Sequence, residues 1–172
     1  MLEIRSREVA IVACHGGAAA LDRLAATGAL RLRIAPDELW LVAGRSNRQG
    51  LLDQAERWRA TTDGNALVVD QTDGWTVLTV AGDERLEVFG RLSVAPPPAG
   101  RPALSQGALA GVPGKVLFAD GAAHYFVPAP VGHHLEARIR DTSHDLGLQF
   151  APATEYRPTA GAVGGNGTAV TR

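Results

Sequence analysis

Residues 66–92 decide the fold of this chain, and they read ALVVDQTDGWTVLTVAGDERLEVFGRL. The runs 66–69 and 75–80 predict two strands, because each is short, rich in β-branched or aromatic residues and flanked by turn residues. Residues 70–74 form the polar turn between them, which we call the acidic loop. Residues 84–90 predict a short helix that a glycine, Gly90, would stop.

The residues before this stretch add two helices and three strands. The predicted strands of this half are 9–14, 30–34, 38–42 and 66–69, and the predicted helices are 18–26 and 47–60. Continuous or alternating apolar residues indicate the strands, and apolar residues three and four apart indicate the helices. The order strand, helix, strand, strand, helix, strand is typical of a ferredoxin-like split βαβ. We therefore predict an N-terminal lobe over 1–70.

The second half repeats the first in outline. Its predicted strands are 75–80, 104–109, 115–119 and 123–127, and its predicted helices are 84–90 and 131–146. Three consecutive prolines make 94–102 an extended connection. Asp120-Gly121 predicts a type I′ hairpin, since that turn needs residues that tolerate positive φ. We predict a C-terminal lobe over 71–148 and a flexible tail over 149–172, where apolar periodicity is lost. The predicted class is α+β, with two ferredoxin-like lobes of mostly antiparallel sheet and helices on one face.

Composition excludes several function classes. The chain has 172 residues and a formal net charge of -1, without the cationic excess of a nucleic-acid-binding protein. Its single cysteine, Cys14, allows no disulfide within the chain and fits a reducing compartment. The apolar run 9–14 is too short for a signal sequence or a membrane span. We therefore expect a cytoplasmic protein with no nucleic-acid or membrane partner.

No known catalytic motif occurs, and the acidic loop holds the candidate binding residues. Asp70 and Asp73 lie three residues apart between two strands, so they could act as acid and base or bind a cation. An aspartate in a turn more often caps backbone amides, and we favour that role. We predict no catalytic residue and no cofactor bound by this chain.

Two other groups of residues have a functional and a structural interpretation. Cys14-His15-Gly16-Gly17 could be an anion site or a reactive thiol, or an ordinary strand-to-helix turn, which we favour because phosphate-loop spacing is absent. The histidines outside that segment are His124, His133, His134 and His144. Adjacent histidines on a helix point about 100° apart and cannot bind one metal from one face, so we predict no metal site.

Six segments carry a family resemblance. They are VVDQTDGWTVL at 68–78, AGD at 81–83, LEVFGRL at 86–92, PDELWLV at 36–42, LSQGALAGVP at 104–113 and HYFVP at 124–128. Taken in their order along the chain, these segments resemble the gamma subunit of heterotetrameric sarcosine oxidase. The resemblance covers about residues 36–146. That subunit is similar in turn to the folate-binding region of the glycine-cleavage T-protein.

The resemblance implies an accessory, non-catalytic subunit of a complex that oxidatively demethylates sarcosine or a related N-methyl amine. It implies alpha, beta and delta type partner subunits, which hold FAD, FMN, NAD, tetrahydrofolate and zinc. Two alternatives stay open. The chain could be an independent folate-binding aminomethyltransferase-like protein that uses Asp70 and Asp73, or a small ligand-binding or regulatory module of ferredoxin-like type.

Overall fold

A computed structural model describes residues 1–62, 64–100 and 102–158 of the chain. These residues contain nine strands and four α-helices. The strands are β1 (Leu2–His15), β2 (Leu30–Ala35), β3 (Glu38–Gly44), β4 (Leu67–Asp70), β5 (Trp75–Ala81), β6 (Ala103–Leu109), β7 (Val112–Ala119), β8 (Ala122–Pro128) and β9 (Leu148–Glu155). The helices are α1 (Ala18–Asp22), α2 (Arg48–Ala60), α3 (Arg85–Leu92) and α4 (Gly132–Thr142). None of the helices in the described ranges combines the length and the hydropathy that crossing a bilayer requires.

The described residues divide into two compact units. The N-terminal unit contains Glu8–Asp73 and the end of the described chain from Glu155. The C-terminal unit contains Met1–Arg7 and Gly74–Thr154. The lobes predicted from the sequence are each continuous, whereas the first residues of β1 belong to the same unit as residues 74–154.

The N-terminal unit has the strand order β4-β1-β3-β2, with every neighbouring pair antiparallel. This is the order of a ferredoxin-like split βαβ. Both helices pack on one face of this sheet, where alternate residues of β1 and β3 meet the apolar stripe of α2. These residues are Ala10, Val12, Cys14, Leu39, Leu41, Ala43, Leu51, Ala55 and Trp58. Buried residues recur with a period of two in the strands and of 3.6 in the helix, as the apolar pattern of the sequence predicts.

The C-terminal unit has the strand order β6-β7-β8-β5-β1, again antiparallel throughout. Helices α3 and α4 share one core with alternate residues of β5, β7 and β8. At its centre the rings of Phe89 and Phe118 meet edge to face, with centroids 5.1 Å apart and planes at 86°. The predicted class, α+β with mostly antiparallel sheet and helices packed on it, is confirmed.

Both tight hairpins of this unit are type I′ turns. Asp120 and Gly121 have φ of 51° and 75°, which confirms the predicted turn. The second turn is at Ala110-Gly111, with φ of 50° and 85°, so β7 begins at Val112 and not at the predicted residue 115. Pro113 lies within β7 opposite Ala108 of β6. A proline fits there because the pairing of β7 with β8 begins only at Lys115, so its missing N–H removes no ladder hydrogen bond.

Some element bounds differ from the predictions because tertiary contacts extend or shorten them. Helix α3 continues through Gly90 to Leu92, whose side chain is buried, so the predicted stop at Gly90 is wrong. Helix α1 is a single turn that ends at Asp22, and α4 ends at Thr142 before a short 3-10 turn at His144–Leu146.

The predicted flexible tail is wrong for its first residues. Residues Leu148–Glu155 form β9, which pairs with β1. Arg7 Nη1 donates a 2.6 Å hydrogen bond to Thr154 Oγ1, and Tyr156 N donates one of 3.0 Å to Glu8 O. Because β1 supplies these hydrogen-bond partners, β9 forms without a clear apolar pattern in its own sequence. The remainder of the predicted tail, from residue 159 onward, lies outside the described residues.

Candidate functional site

The acidic loop, residues 70–74, is docked on β1 through Gln71, whose N donates a 2.9 Å hydrogen bond to Ile11 O, and through the buried Thr72. Thr72 is 2% exposed, and its Oγ1 accepts a 3.2 Å hydrogen bond from Ile11 N. Asp70 Oδ1 in turn accepts a 3.0 Å hydrogen bond from Thr72 N, two residues further along. An aspartate that bonds the amide two residues on closes an Asx turn. The side chain of Asp70 therefore caps the backbone of the loop.

Two arginines pair with the aspartates of the loop: Arg48, the first residue of α2, and Arg45, in the 3-10 turn just before it. Arg48 Nη2 lies 2.6 Å from Asp70 Oδ2, and Arg48 Nη1 lies 4.0 Å from Asp73 Oδ2. Arg45 Nη2 lies 2.7 Å from Asp73 Oδ1. Partial burial raises the pKa of Asp70, but the hydrogen bonds from Thr72 and Arg48 and the charge of Arg48 outweigh it, so that the pKa of Asp70 lies below its usual range. Asp70 is ionised at neutral pH.

A third carboxylate joins the same segment from β9. Ser46 N donates a 2.7 Å hydrogen bond to Glu155 Oε1, and hydrogen bonds from Ser46 lower the pKa of Glu155. A Cβ at Gly44 would lie 2.6 Å from Glu155 Cγ, so a glycine is required where the side chain passes. Sequence reasoning missed Glu155 because it lies in the predicted tail. No local pattern marks it, since its partner is more than a hundred residues away.

The cluster of Asp70, Asp73 and Glu155 with Arg45 and Arg48 is an ion-pair network on a surface. Exposed pairs of this kind contribute only about 0 to 1 kcal/mol each to stability. The network joins Asp70, Asp73 and Glu155 to the segment 45–48, which leads into α2. Each carboxylate already has a partner, so a substrate or cation would have to displace an arginine or a backbone amide. Acid–base chemistry and cation binding at Asp70 and Asp73 stay open as the alternatives to the favoured capping role.

Cys14 lies in the core of the N-terminal unit. It is buried, and burial, with a smaller effect of the Glu56 carboxylate, raises the pKa of its thiol to about 12. Only the thiolate is nucleophilic, so this environment disfavours the reactive-thiol interpretation. Gly16 N donates to Asp37 O at 3.1 Å, which makes the segment after Cys14 a strand-to-helix turn.

A buried polar chain in the C-terminal unit was not found from the sequence. Arg7 Nε donates to Thr79 Oγ1 at 3.0 Å, and Thr79 Oγ1 lies 3.0 Å from His124 Nδ1. The hydroxyl of Thr79 therefore links the guanidinium of Arg7 to the imidazole of His124. Burial, then the charge of Arg7, lower the pKa of His124 to about 4, and Asp120 opposes them. Period-two alternation in β8 could have placed His124 on a sheet face, but it could not have identified its partners.

The other histidines lie on the surface. His133 and His134 are consecutive exposed residues of α4, and His144 Nδ1 lies 3.0 Å from Asp141 O. The structure brings no three histidine, cysteine, aspartate or glutamate side chains into a group that could hold a metal ion, as far as the described residues extend.

Comparison with known proteins finds similar structures but no similar sequence. No family model matches the chain, and no curated protein matches it. A chain of the heterotetrameric sarcosine oxidase from Corynebacterium sp. U-96 is similar in structure, with a TM-score of 0.70 and 17% identity over 86% of both chains. Aminomethyltransferase T of the glycine cleavage system from Bartonella henselae is similar over 87% of this chain, with a TM-score of 0.65 and 12% identity. The chain spans about half of that enzyme, 47% of its length. At these identities the likeness establishes the fold.

Proposed function

We propose that this chain is the gamma-type accessory subunit of a heterotetrameric, flavin-dependent complex that resembles sarcosine oxidase. The complex would oxidatively demethylate sarcosine or a related N-methyl amine. Alpha, beta and delta type partners would hold FAD, FMN, NAD, tetrahydrofolate and zinc, and this chain would bind none of them.

The observation that carries this proposal is the similarity to one chain of a heterotetrameric sarcosine oxidase. The alignment covers 86% of each chain, so the two chains are similar in length as well as in fold. Asp70 and Asp73 are both ion-paired, which is consistent with a role other than catalysis. The resemblance of residues 36–146 to the gamma subunit family is a second line of support, since it rests on sequence motifs.

Affinity purification of the tagged chain from its source cells tests the proposal. We expect three further polypeptides to co-purify, one of them with a flavin absorption spectrum that sarcosine bleaches. A tagged protein of unrelated fold, purified in parallel, is the control. Purification of the chain alone, as a stable monomer or homodimer, would contradict the assignment, and so would turnover of an N-methyl amine by the isolated chain.

The similarity to aminomethyltransferase T favours a second candidate, an independent folate-binding protein. Titration of the isolated chain with a reduced folate tests it. If the acidic loop binds folate, D70N and D73N would weaken binding and D53N, an exposed change on α2, would not. Lack of saturable binding would rule this candidate out.

A further inference from the structure

A groove of about 350 Å³ lies in the N-terminal unit between α2 and the loop after α1. Leu24 and Trp58 give it apolar walls, and Gln54 and Thr61 add polar atoms. Two guanidinium groups, those of Arg23 and Arg57, complete the lining. Pockets for small ligands in proteins typically enclose about 300–1,000 Å³. The groove is therefore at the lower end of the size range for a small molecule.

The two arginines of the groove differ from the other arginines of this unit. Residues 8–73 contain seven arginines, and five of them bond a carboxylate or a carbonyl oxygen. These five are Arg31, Arg33, Arg45, Arg48 and Arg59. Arg23 and Arg57 have no hydrogen-bond or ion-pair partner within the described part of the chain. The two unpaired arginines thus line the same groove.

The acids that directly precede the two arginines are paired with other arginines. Asp22, which precedes Arg23, pairs with Arg33. Glu56, which precedes Arg57, pairs with Arg59. Among the described residues the lining contains no carboxylate, and its two formal charges, on Arg23 and Arg57, are both positive.

Hydrogen bonds between the walls hold the groove open. Gln54 Oε1 accepts from Thr27 N at 2.8 Å, and Gln54 Nε2 donates to Gly50 O at 3.1 Å. Trp58 Nε1 donates to Ala20 O at 3.0 Å. The bonds to Thr27 N and Ala20 O join α1 and its following loop to α2, whereas the bond from Gln54 Nε2 to Gly50 O lies within α2. The donors left for a ligand are the guanidinium groups.

We propose that this groove binds a small organic di-acid, with its carboxylates on Arg23 and Arg57 and its carbon chain against Leu24 and Trp58. The planar guanidinium fork matches a carboxylate with two parallel hydrogen bonds. The same donors recognise phosphate, but the apolar wall favours a ligand with a carbon body. The proposal stands on the groove alone and is independent of membership in an oxidase complex.

Calorimetric titration of the full chain with glutarate, at low ionic strength, tests the proposal. We expect saturable binding that R23Q and R57Q each weaken by at least about tenfold, since a hydrogen bond to a charged group is lost. Neither arginine has a structural partner, so both variants should keep the wild-type melting temperature. R138Q is the matched control, because Arg138 is an exposed arginine of α4 outside the groove.

Three results would overturn the proposal. The first is absence of saturable glutarate binding at millimolar concentration. The second is equal weakening by R138Q, which would indicate an effect of net charge. The third is tighter binding of inorganic phosphate than of glutarate, which would exclude a di-acid as the preferred ligand.

Discussion

Acidification should destabilise the protein through His124 in a defined pH window. Burial, and to a lesser extent the charge of Arg7, lower the pKa of His124 from 6.5 to about 4 against the opposing effect of Asp120. Between these two values the unfolded chain binds a proton that the folded chain does not. Stability therefore falls as the pH falls through this window, and the loss is complete below the folded pKa.

The two pKa values set the size of the effect. One unit of pKa difference corresponds to about 1.4 kcal/mol, so the full difference for His124 amounts to about 3 kcal/mol. At about pH 5 the unfolded imidazole is almost fully protonated and the folded one is mostly neutral. The linkage relation then gives a loss of about 2 kcal/mol relative to about pH 7.5.

The variant His124→Asn isolates this contribution. Its Oδ1 can accept the Thr79 hydroxyl in place of Nδ1, and it does not titrate. Urea unfolding should show that the wild type loses about 2 kcal/mol more than H124N between pH 7.5 and pH 5. H133N, an exposed change, should keep the wild-type pH dependence. An unchanged pH dependence in H124N would refute the reasoning, because the titrating group would then lie elsewhere.

Two further predictions concern stability, measured by urea unfolding. Thr72→Val removes the oxygen that accepts a hydrogen bond from Ile11 N at 3.2 Å. Because a buried donor is then left unsatisfied, the free energy of unfolding should fall by about 1–3 kcal/mol. A change near zero would mean that this bond does not dock the loop. Gly132→Ala places a Cβ 2.5 Å from Thr76 Oγ1 and should cost about 1–3 kcal/mol through overpacking. A Cβ at Gly50 in α2 would meet no atom within 4 Å, so Gly50→Ala should instead stabilise the protein by about 0.5–1 kcal/mol. Equal effects of the two glycine changes would contradict the packing argument.

The sequence predicted the order of elements in the N-terminal unit because each element there carries its own pattern. The strand at 9–14 is apolar throughout, and α2 has Leu51, Ala55 and Trp58 on one face, all of them buried. The hairpin at Asp120-Gly121 was also predictable, since positive φ at both positions is a local property. Such features depend on residues that are neighbours in the chain.

The candidate site was only partly predictable. Asp70 and Asp73 could be chosen from the turn, and their capping role follows from turn chemistry. Arg48 and Glu155 could not be assigned as neighbours, because they lie 22 residues before and 85 residues after Asp70 in the numbering of the chain. A contact across that distance has no signature in local periodicity.

The sequence alone determined the α+β class, the split βαβ order and the position of the acidic loop. Hydrophobic periodicity and turn residues can be recognised within short stretches of sequence. Tertiary structure decided the rest. It made a strand of Leu148–Glu155 by providing β1 as a partner, and it placed His124 beside Arg7 and Thr79. It also placed Arg23 and Arg57 on one groove with no partner among the described residues, while Asp22 and Glu56, which precede them, bond other arginines. Pairing between distant residues is settled by packing and hydrogen bonding in three dimensions, and therefore only the folded chain could reveal it.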